Sequence, residues 1–313
     1  MTPEQAPRFQ VIIHGHFYQP PRENPWTGAI ELQDSAAPYH DWNERIVAEC
    51  YRPNGRSRVL DGRGHVLDVV NNYAHISFNF GPTLISYLQH HHPDTYRRIL
   101  QADADSLAER GFGNATAQGY NHMIMPLASP RDRQTQILWG LADFQTHFGR
   151  KPEGMWLAET AINAETLGDL ARHGVRFVLL APSQAEAIAA PGSDQWQSVE
   201  DGSIPTHRAY VCQTDHGPVA VLFYQAELSR AVAFEHLLRN AGTFADRLER
   251  AAMQAQPEAG ESHMVFVCTD GESYGHHEAM GDMCLSFLST RELAARGAKL
   301  TNPAAFMKAH PPR

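Results

Sequence analysis

FQVIIHGHF, residues Phe9–Phe17, reads as a strand covered on both faces, with β-branched and aromatic residues and no breaker before Gly15. Working outward, a long proline-rich loop at about residues 19–38 follows it, and loops of that length are usually functional or disordered. Beyond the loop, short apolar runs alternate with amphipathic helical stretches. His75–Phe80 (HISFNF), Phe112–Ala117, Gly154–Glu159 (GMWLAE), Val175–Ala181 (VRFVLLA) and His263–Thr269 (HMVFVCT) are expected strands. Arg208–Gln213 and Val219–Tyr224 flank an Asp215-His216-Gly217 turn as a hairpin.

Helices are expected at Asn43–Tyr51, ending before Pro53, and at Thr83–His91, opened by Gly81-Pro82. Another runs from Pro93 through Arg110 and is closed by Gly111. Ser129 as N-cap and Pro130 at the first position open a helix to Phe148, ended by Gly149. Asn163 caps Ala164–His173, a long helix spans Glu227–Gln254 with a break near Asn240–Gly242, and Leu285–Ala295 is helical. Seven core strands mostly separated by helices imply an α/β barrel. In such a barrel the chemistry lies at the C-terminal strand ends.

Composition narrows the function classes. The 313 residues are 42% hydrophobic and 19% charged, enough to bury a full core in a single domain over residues 1–313. The formal charge is 26 − 35 = −9 with no Lys/Arg-rich stretch, so no nucleic-acid partner is expected. No apolar run reaches 18 residues, so no membrane span is expected, and Met1–Gln10 carries no apolar signal core. Cys50, Cys212, Cys268 and Cys284 form no C-x-x-C pair and fit free thiols in a reducing cytoplasm, the expected location.

The residues that follow the apolar runs are the candidates for function. Strand one ends in His14, His16, Tyr18 and Gln19, and strand two in Asn79. The third run leads to Asn114, Gln118, Asn121 and His122, the fourth to Trp156 and Glu159, and the last to Asp270, Glu272, His276 and His277. Carboxylates, imidazoles, amides and an indole at one mouth suit a sugar, whose hydroxyls take hydrogen bonds and whose apolar face takes an aromatic ring. Glu159 and Asp270 are the sharpest pair, because glycoside cleavage needs two carboxyl groups flanking one bond. The plainer alternative is that each caps a following turn.

His14 and His16 point to the same side of a strand. With Asp270 they could form a His₂-carboxylate metal set, although hydrogen-bonding residues lining a polar pocket are favoured. His90, His91 and His92 read as a solvated helix terminus. Trp156 and Glu159 point to opposite faces of an ideal strand, which makes a core Trp a fair alternative; Trp26 and Tyr18 are better stacking candidates for a sugar. Gly111-Phe112-Gly113 lacks the Lys-Ser/Thr of a phosphate loop.

Several ordered stretches resemble glycoside hydrolase family 57. His14-Gly-His16-Phe-Tyr-Gln19-Pro20 is similar to its opening His-x-His-Gln-Pro motif, widened by two residues. Asn121-His122 to Pro126-Leu127 resembles its second motif, and His75 to Pro82 the segment between the two. Gly154-Met-Trp156-Leu-Ala-Glu159 resembles its Trp-Leu-Pro-Glu nucleophile motif, with Ala158 where Pro is common, and Thr269-Asp270-Gly271-Glu272-Ser-Tyr-Gly275 its acid/base motif.

The resemblance implies a (β/α)7 barrel acting on α-glucan oligo- or polysaccharides by a retaining mechanism, with no metal and no other cofactor. It implies Glu159 as nucleophile and Asp270 as acid/base. It implies His14, His16 and His122 as substrate contacts, and Tyr18, Gln19, Trp26, Asn79, Trp156, Glu272 and His276 are further candidates for substrate binding at the same mouth. Two departures stand out. No Trp follows Trp196 to supply the family's last motif, and the chain stops at Arg313, where family members continue into a last strand and a helical region. The expected function is a retaining α-glycoside hydrolase or α-glucan transferase. The rivals are a metal-dependent polysaccharide deacetylase and a catalytically impaired glucan-binding domain.

Overall fold

In the computed structural model of the chain, residues 7–255, 257 and 263–312 are described. Its strands are β1 (Phe9–Phe17), β2 (Ser57–Leu60), β3 (Val66–Val70), β4 (Ser77–Phe80), β5 (Ala117–Gln118), β6 (Met155–Trp156), β7 (Phe177–Leu180), β8 (Ala187–Ile188), β9 (Gln197–Ser198), β10 (Ala209–Thr214), β11 (Gly217–Phe223), β12 (Met264–Asp270) and β13 (Ala298–Leu300).

β1 pairs in parallel with β12 from Gln10/Met264 to His16/Asp270. Its other edge is shared, with β13 along Phe9–Val11 and β4 along His14–Phe17. A single bridge, Phe78/Ala115, leads from β4 towards β5, which pairs with β6; another, Gly154/Phe177, leads to β7. β7 pairs in parallel with β11, and the Gln225 N–H donates to the Phe266 carbonyl at 2.7 Å beside β12. The described strands thus form short sheets linked by isolated bonds, with no closed barrel, in an α/β fold.

Side-chain alternation in β1 divides the core. Val11, Ile13 and Phe17 belong to an outer cluster with helix residues such as Leu84, Ile99, Ile137, Leu167 and Phe244. Ile12 belongs to an inner cluster with Trp156, Phe177, Leu179, Leu222, Met264 and Phe266. His14 and His16, two and four residues after Ile12, continue the inner row. At the other end of that row Ala304 and Phe306, from the helix Pro303–Ala309, pack into the same cluster. Neither this helix nor β13 has an expected counterpart in the sequence.

The expected helices with strong caps form as read. Ser129 accepts the Asp132 N–H and Asn163 the Thr166 N–H, while Gly111 and Gly149 end their helices at φ 75° and 67°. Other elements differ. The helix expected to stop before Pro53 continues through it: Trp42–Ile46 gives way to a π-turn, Val47–Tyr51, and helix resumes over Arg52–Gly55. Pro53 falls in the first turn of the renewed helix, where a missing N–H is tolerated, and Asn54 Nδ2 donates to the Cys50 carbonyl at 2.9 Å. The strand expected to reach Glu159 ends at Trp156, and Glu159 and Thr160 are both left-handed (φ 54° and 52°) instead of extended. The break in the long helix comes earlier than Asn240, after Phe234, with His236 left-handed at φ 56°. The antiparallel pair β2–β3 was not anticipated.

Candidate active site

The strand register brings the polar residues to one level. His16 is the ladder partner of Asp270 on one side and of Asn79 on the other, and Gln118 is the partner of Trp156. Asn79 is fully buried and joins three neighbours. Its Oδ1 accepts from His14 Nε2 (3.1 Å), and its Nδ2 donates to His16 Nδ1 (2.9 Å) and to Gln118 Oε1 (2.7 Å). This amide orientation sets the tautomers. His14 Nδ1 then accepts the Ser77 hydroxyl at 2.9 Å, and His16 Nε2–H donates to His122 Nε2 at 3.0 Å.

Burial pushes the His14 imidazole down to about 4, with Asn79 opposing. His16 lies well below the ordinary histidine value, from burial and then from His122. Both rings are therefore neutral at pH 7. The rings also stack. His16 lies 4.8 Å from Trp156 and 4.9 Å from His122, and His122 lies 4.0 Å from Tyr18. Trp156 accordingly belongs to the inner core and to the wall of the site at once.

Glu159 and Asp270 are both exposed at this mouth. Left-handed backbone at Glu159 and Thr160 turns the chain sharply after β6, and Gln184 Nε2 ties the turn by donating to the Thr160 carbonyl at 2.7 Å. Such conformations in non-glycine residues cluster at functional sites. Although Asp270 opens to solvent, the protein packed around it raises its carboxyl above the ordinary aspartate value; nearby His277 opposes the rise and the Glu159 charge adds to it. Burial lowers the His122 imidazole, with the Glu159 charge opposing. The two carboxyl groups and His122 thus share one electrostatic environment.

The structure places other expected residues differently. Glu272 is buried and bonded to the Tyr51 hydroxyl, and Gln19 donates to the same hydroxyl at 3.0 Å. His276 is held by Glu49 at 2.5 Å and lies edge-on to Trp42, so that His277 is the imidazole coupled to Asp270. Trp26 is 93% exposed, and among the described residues no ring stacks on it. Asn114 is buried behind the site against Ser106 and the Tyr73 carbonyl. His92 bonds Glu44 and His90 bonds the Ser86 carbonyl of its own helix, as a helix terminus would. Ser77, Tyr51 and Arg22 join the site's framework without having been singled out. Ser77 lies two positions before Asn79 on β4, which is a signal, but nothing local marks Tyr51.

Both ring nitrogens of His14 and of His16 are engaged, so they do not open towards Asp270 as a metal set. Among the described residues, no group of three or more His, Cys, Asp and Glu side chains is placed to hold a metal ion. No helix among them is long and apolar enough to cross a membrane.

A model of glycosyl hydrolase family 57 matches residues 17–313. The chain is 27% identical over 105 residues to "Alpha-amylase 1" of Dictyoglomus thermophilum, covering 34% of this chain and 15% of that protein. The fold is similar to that of a 4-alpha-glucanotransferase from Thermococcus litoralis (TM-score 0.64, 16% identity, 98% of this chain and 41% of that one). It is also similar to that of a branching enzyme from Pyrococcus horikoshii (TM-score 0.64, 17% identity, 96% of this chain and 70% of that one). The matches therefore cover less than half the length of each of the first two.

Proposed function

Because the chain belongs to glycosyl hydrolase family 57, whose model matches residues 17–313, we propose that its mouth cleaves or transfers α-glucosidic bonds with retention of configuration. Glu159 attacks the anomeric carbon while Asp270 protonates the departing glycosidic oxygen. Asp270 then removes the proton from the incoming water or sugar hydroxyl, and the glycosyl–Glu159 bond breaks. The observation that carries this reading is the Asp270 carboxyl standing at one mouth with Glu159. Asp270 has its carboxyl pushed up by its surroundings and by the Glu159 charge, as a group that must hold a proton requires. The neutral inner imidazoles bond Ser77, Asn79 and His122 and back the wall of the mouth, where the Tyr18 ring, stacked on His122, offers an apolar face for the sugar.

In the same proposal β1, β4, β5, β6, β7, β11 and β12 form the seven strands of a distorted (β/α)7 barrel, and the substrate is an α-glucan oligo- or polysaccharide. The test is turnover of maltooligosaccharides by wild type, Glu159→Ala and Asp270→Ala, with the anomer of the first product read by NMR. Loss of about 10²–10⁴-fold in the Asp270 variant and an α-anomer from wild type support the assignment. Near-wild-type turnover in either variant, or a β-anomer, defeats it.

A further inference from the structure

Glu272 lies two residues beyond Asp270, but its carboxyl is on the buried side of the turn, 7% exposed. It accepts the Tyr51 hydroxyl and a backbone N–H from Tyr18. Tyr51 in turn accepts from Gln19 Nε2 at 3.0 Å, Gln19 Oε1 accepts from Arg22 Nη2 at 2.7 Å, and Arg22 Nε donates to Asn43 Oδ1 at 3.0 Å. The Gln19 carbonyl takes the Thr83 hydroxyl at 2.5 Å. The first turn of the long loop therefore hangs from the Glu272 side chain.

The same residue organises its own turn. The Glu272 carbonyl accepts the N–H groups of His276 and His277, both at 2.9 Å. Next to it, Cys50 Sγ donates to the Gly271 carbonyl at 3.4 Å. Tyr51 reaches Glu272 from the π-turn Val47–Tyr51, a feature often found at functional sites. Tyr51 is anchored in its turn by the Tyr73 hydroxyl, which donates to the Tyr51 carbonyl at 3.0 Å.

We propose that Glu272 is a positioning residue: through Tyr51 it clamps the turn Asp270–His277 to the start of the long loop, and so holds Asp270 where it can reach the leaving glycosidic oxygen. It does this without touching the sugar. The inference rests on Asp270 being the acid/base, and its test separates the two ideas. Maltooligosaccharides need a proton on the leaving oxygen, whereas α-glucosyl fluoride leaves with little help from an acid. Misplacing Asp270 therefore lowers kcat/KM for the first far more than for the second, while general damage to the site lowers both.

The experiment compares Glu272→Ala, Tyr51→Phe and Glu272→Gln with wild type on both substrates. Expected is a loss of roughly 10²-fold for Glu272→Ala and a smaller loss for Tyr51→Phe on maltooligosaccharides. The fluoride should be largely unaffected, and most activity should return in Glu272→Gln, which still accepts the Tyr51 hydroxyl. Equal losses on both substrates, or raised KM on both with kcat kept, overturn the proposal. Amide hydrogen exchange gives a readout independent of activity. His276 and His277 should exchange faster in Glu272→Ala and Tyr51→Phe, while β1 stays protected; unchanged exchange at the two histidines overturns the clamp. A wild type inert towards both sugars defeats the catalytic reading, and the clamp then stands or falls on exchange alone.

Discussion

Replacing Asn79 by alanine should destabilise the chain more than its size suggests. Asn79 is fully buried and carries three hydrogen bonds at once, to His14 Nε2, His16 Nδ1 and Gln118 Oε1. Truncation leaves three buried polar groups without their partner. Each such loss costs about 1–3 kcal/mol, so the sum is about 3–6 kcal/mol once some relaxation is allowed. That is a large share of the ~5–15 kcal/mol that holds a domain folded. For a chain of this size it corresponds to a fall in Tm on the order of 10 °C. Ser77→Ala leaves only one buried group, His14 Nδ1, without its partner and should cost about 1–3 kcal/mol. Urea unfolding followed by far-UV circular dichroism compares the two variants with wild type at pH 7. An Asn79→Ala cost below about 1 kcal/mol, or one no larger than that of Ser77→Ala, refutes the argument that Asn79 is the hub of the inner network.

Two further outcomes concern the turn after β12. The Glu272 carboxyl is raised from 4.5 to about 7, chiefly by burial. A raised carboxyl favours the folded state while protonated, and that stability is lost as pH rises from the unfolded value through the folded one. The advantage of wild type over Glu272→Gln should therefore shrink by on the order of 3 kcal/mol between pH 4.5 and 7.5 in urea unfolding, and a gap that widens contradicts the shift. At Gly271, an added Cβ would lie 2.2 Å from a ring carbon of Phe17. Gly271→Ala should cost about 1–3 kcal/mol, partly recovered by Phe17→Leu in the double variant; additive losses would place the strain elsewhere.

Much of the frame was legible because the signals were local. Helices Pro93–Arg110 and Pro130–Phe148 carry their stops and starts within a few residues of each end, and β1 carries its two-faced burial in its own composition. The candidate mouth was legible for a different reason: polar residues directly after apolar runs have few other places to go. What escaped depends on distant partners. Strand β6 is only two residues long, and the chain turns through left-handed Glu159 and Thr160 soon after it, a backbone that nothing in Ala158-Glu159-Thr160 marks. The helix survives Pro53 through a π-turn that local rules do not foresee.

The roles of neighbouring residues also divided in ways spacing could not resolve. His276 and His277 are adjacent in sequence, but Glu49, more than two hundred residues away, captures the first and leaves the second beside Asp270. Glu272 shares the acid/base motif yet is drawn inward by Tyr51. Trp26, chosen as an aromatic on the long loop, stands free in solvent.

The central proposal is that Glu159 is the nucleophile of a retaining α-glucan enzyme. The most direct test is to incubate the chain with a 5-fluoro α-glucosyl fluoride, weigh the intact protein by mass spectrometry and map the adduct by peptide digestion. The account predicts one glycosyl adduct, on Glu159, absent from Glu159→Ala. An adduct on another carboxylate, or α-glucan turnover by the wild type with no trapped glycosyl–enzyme, would contradict it.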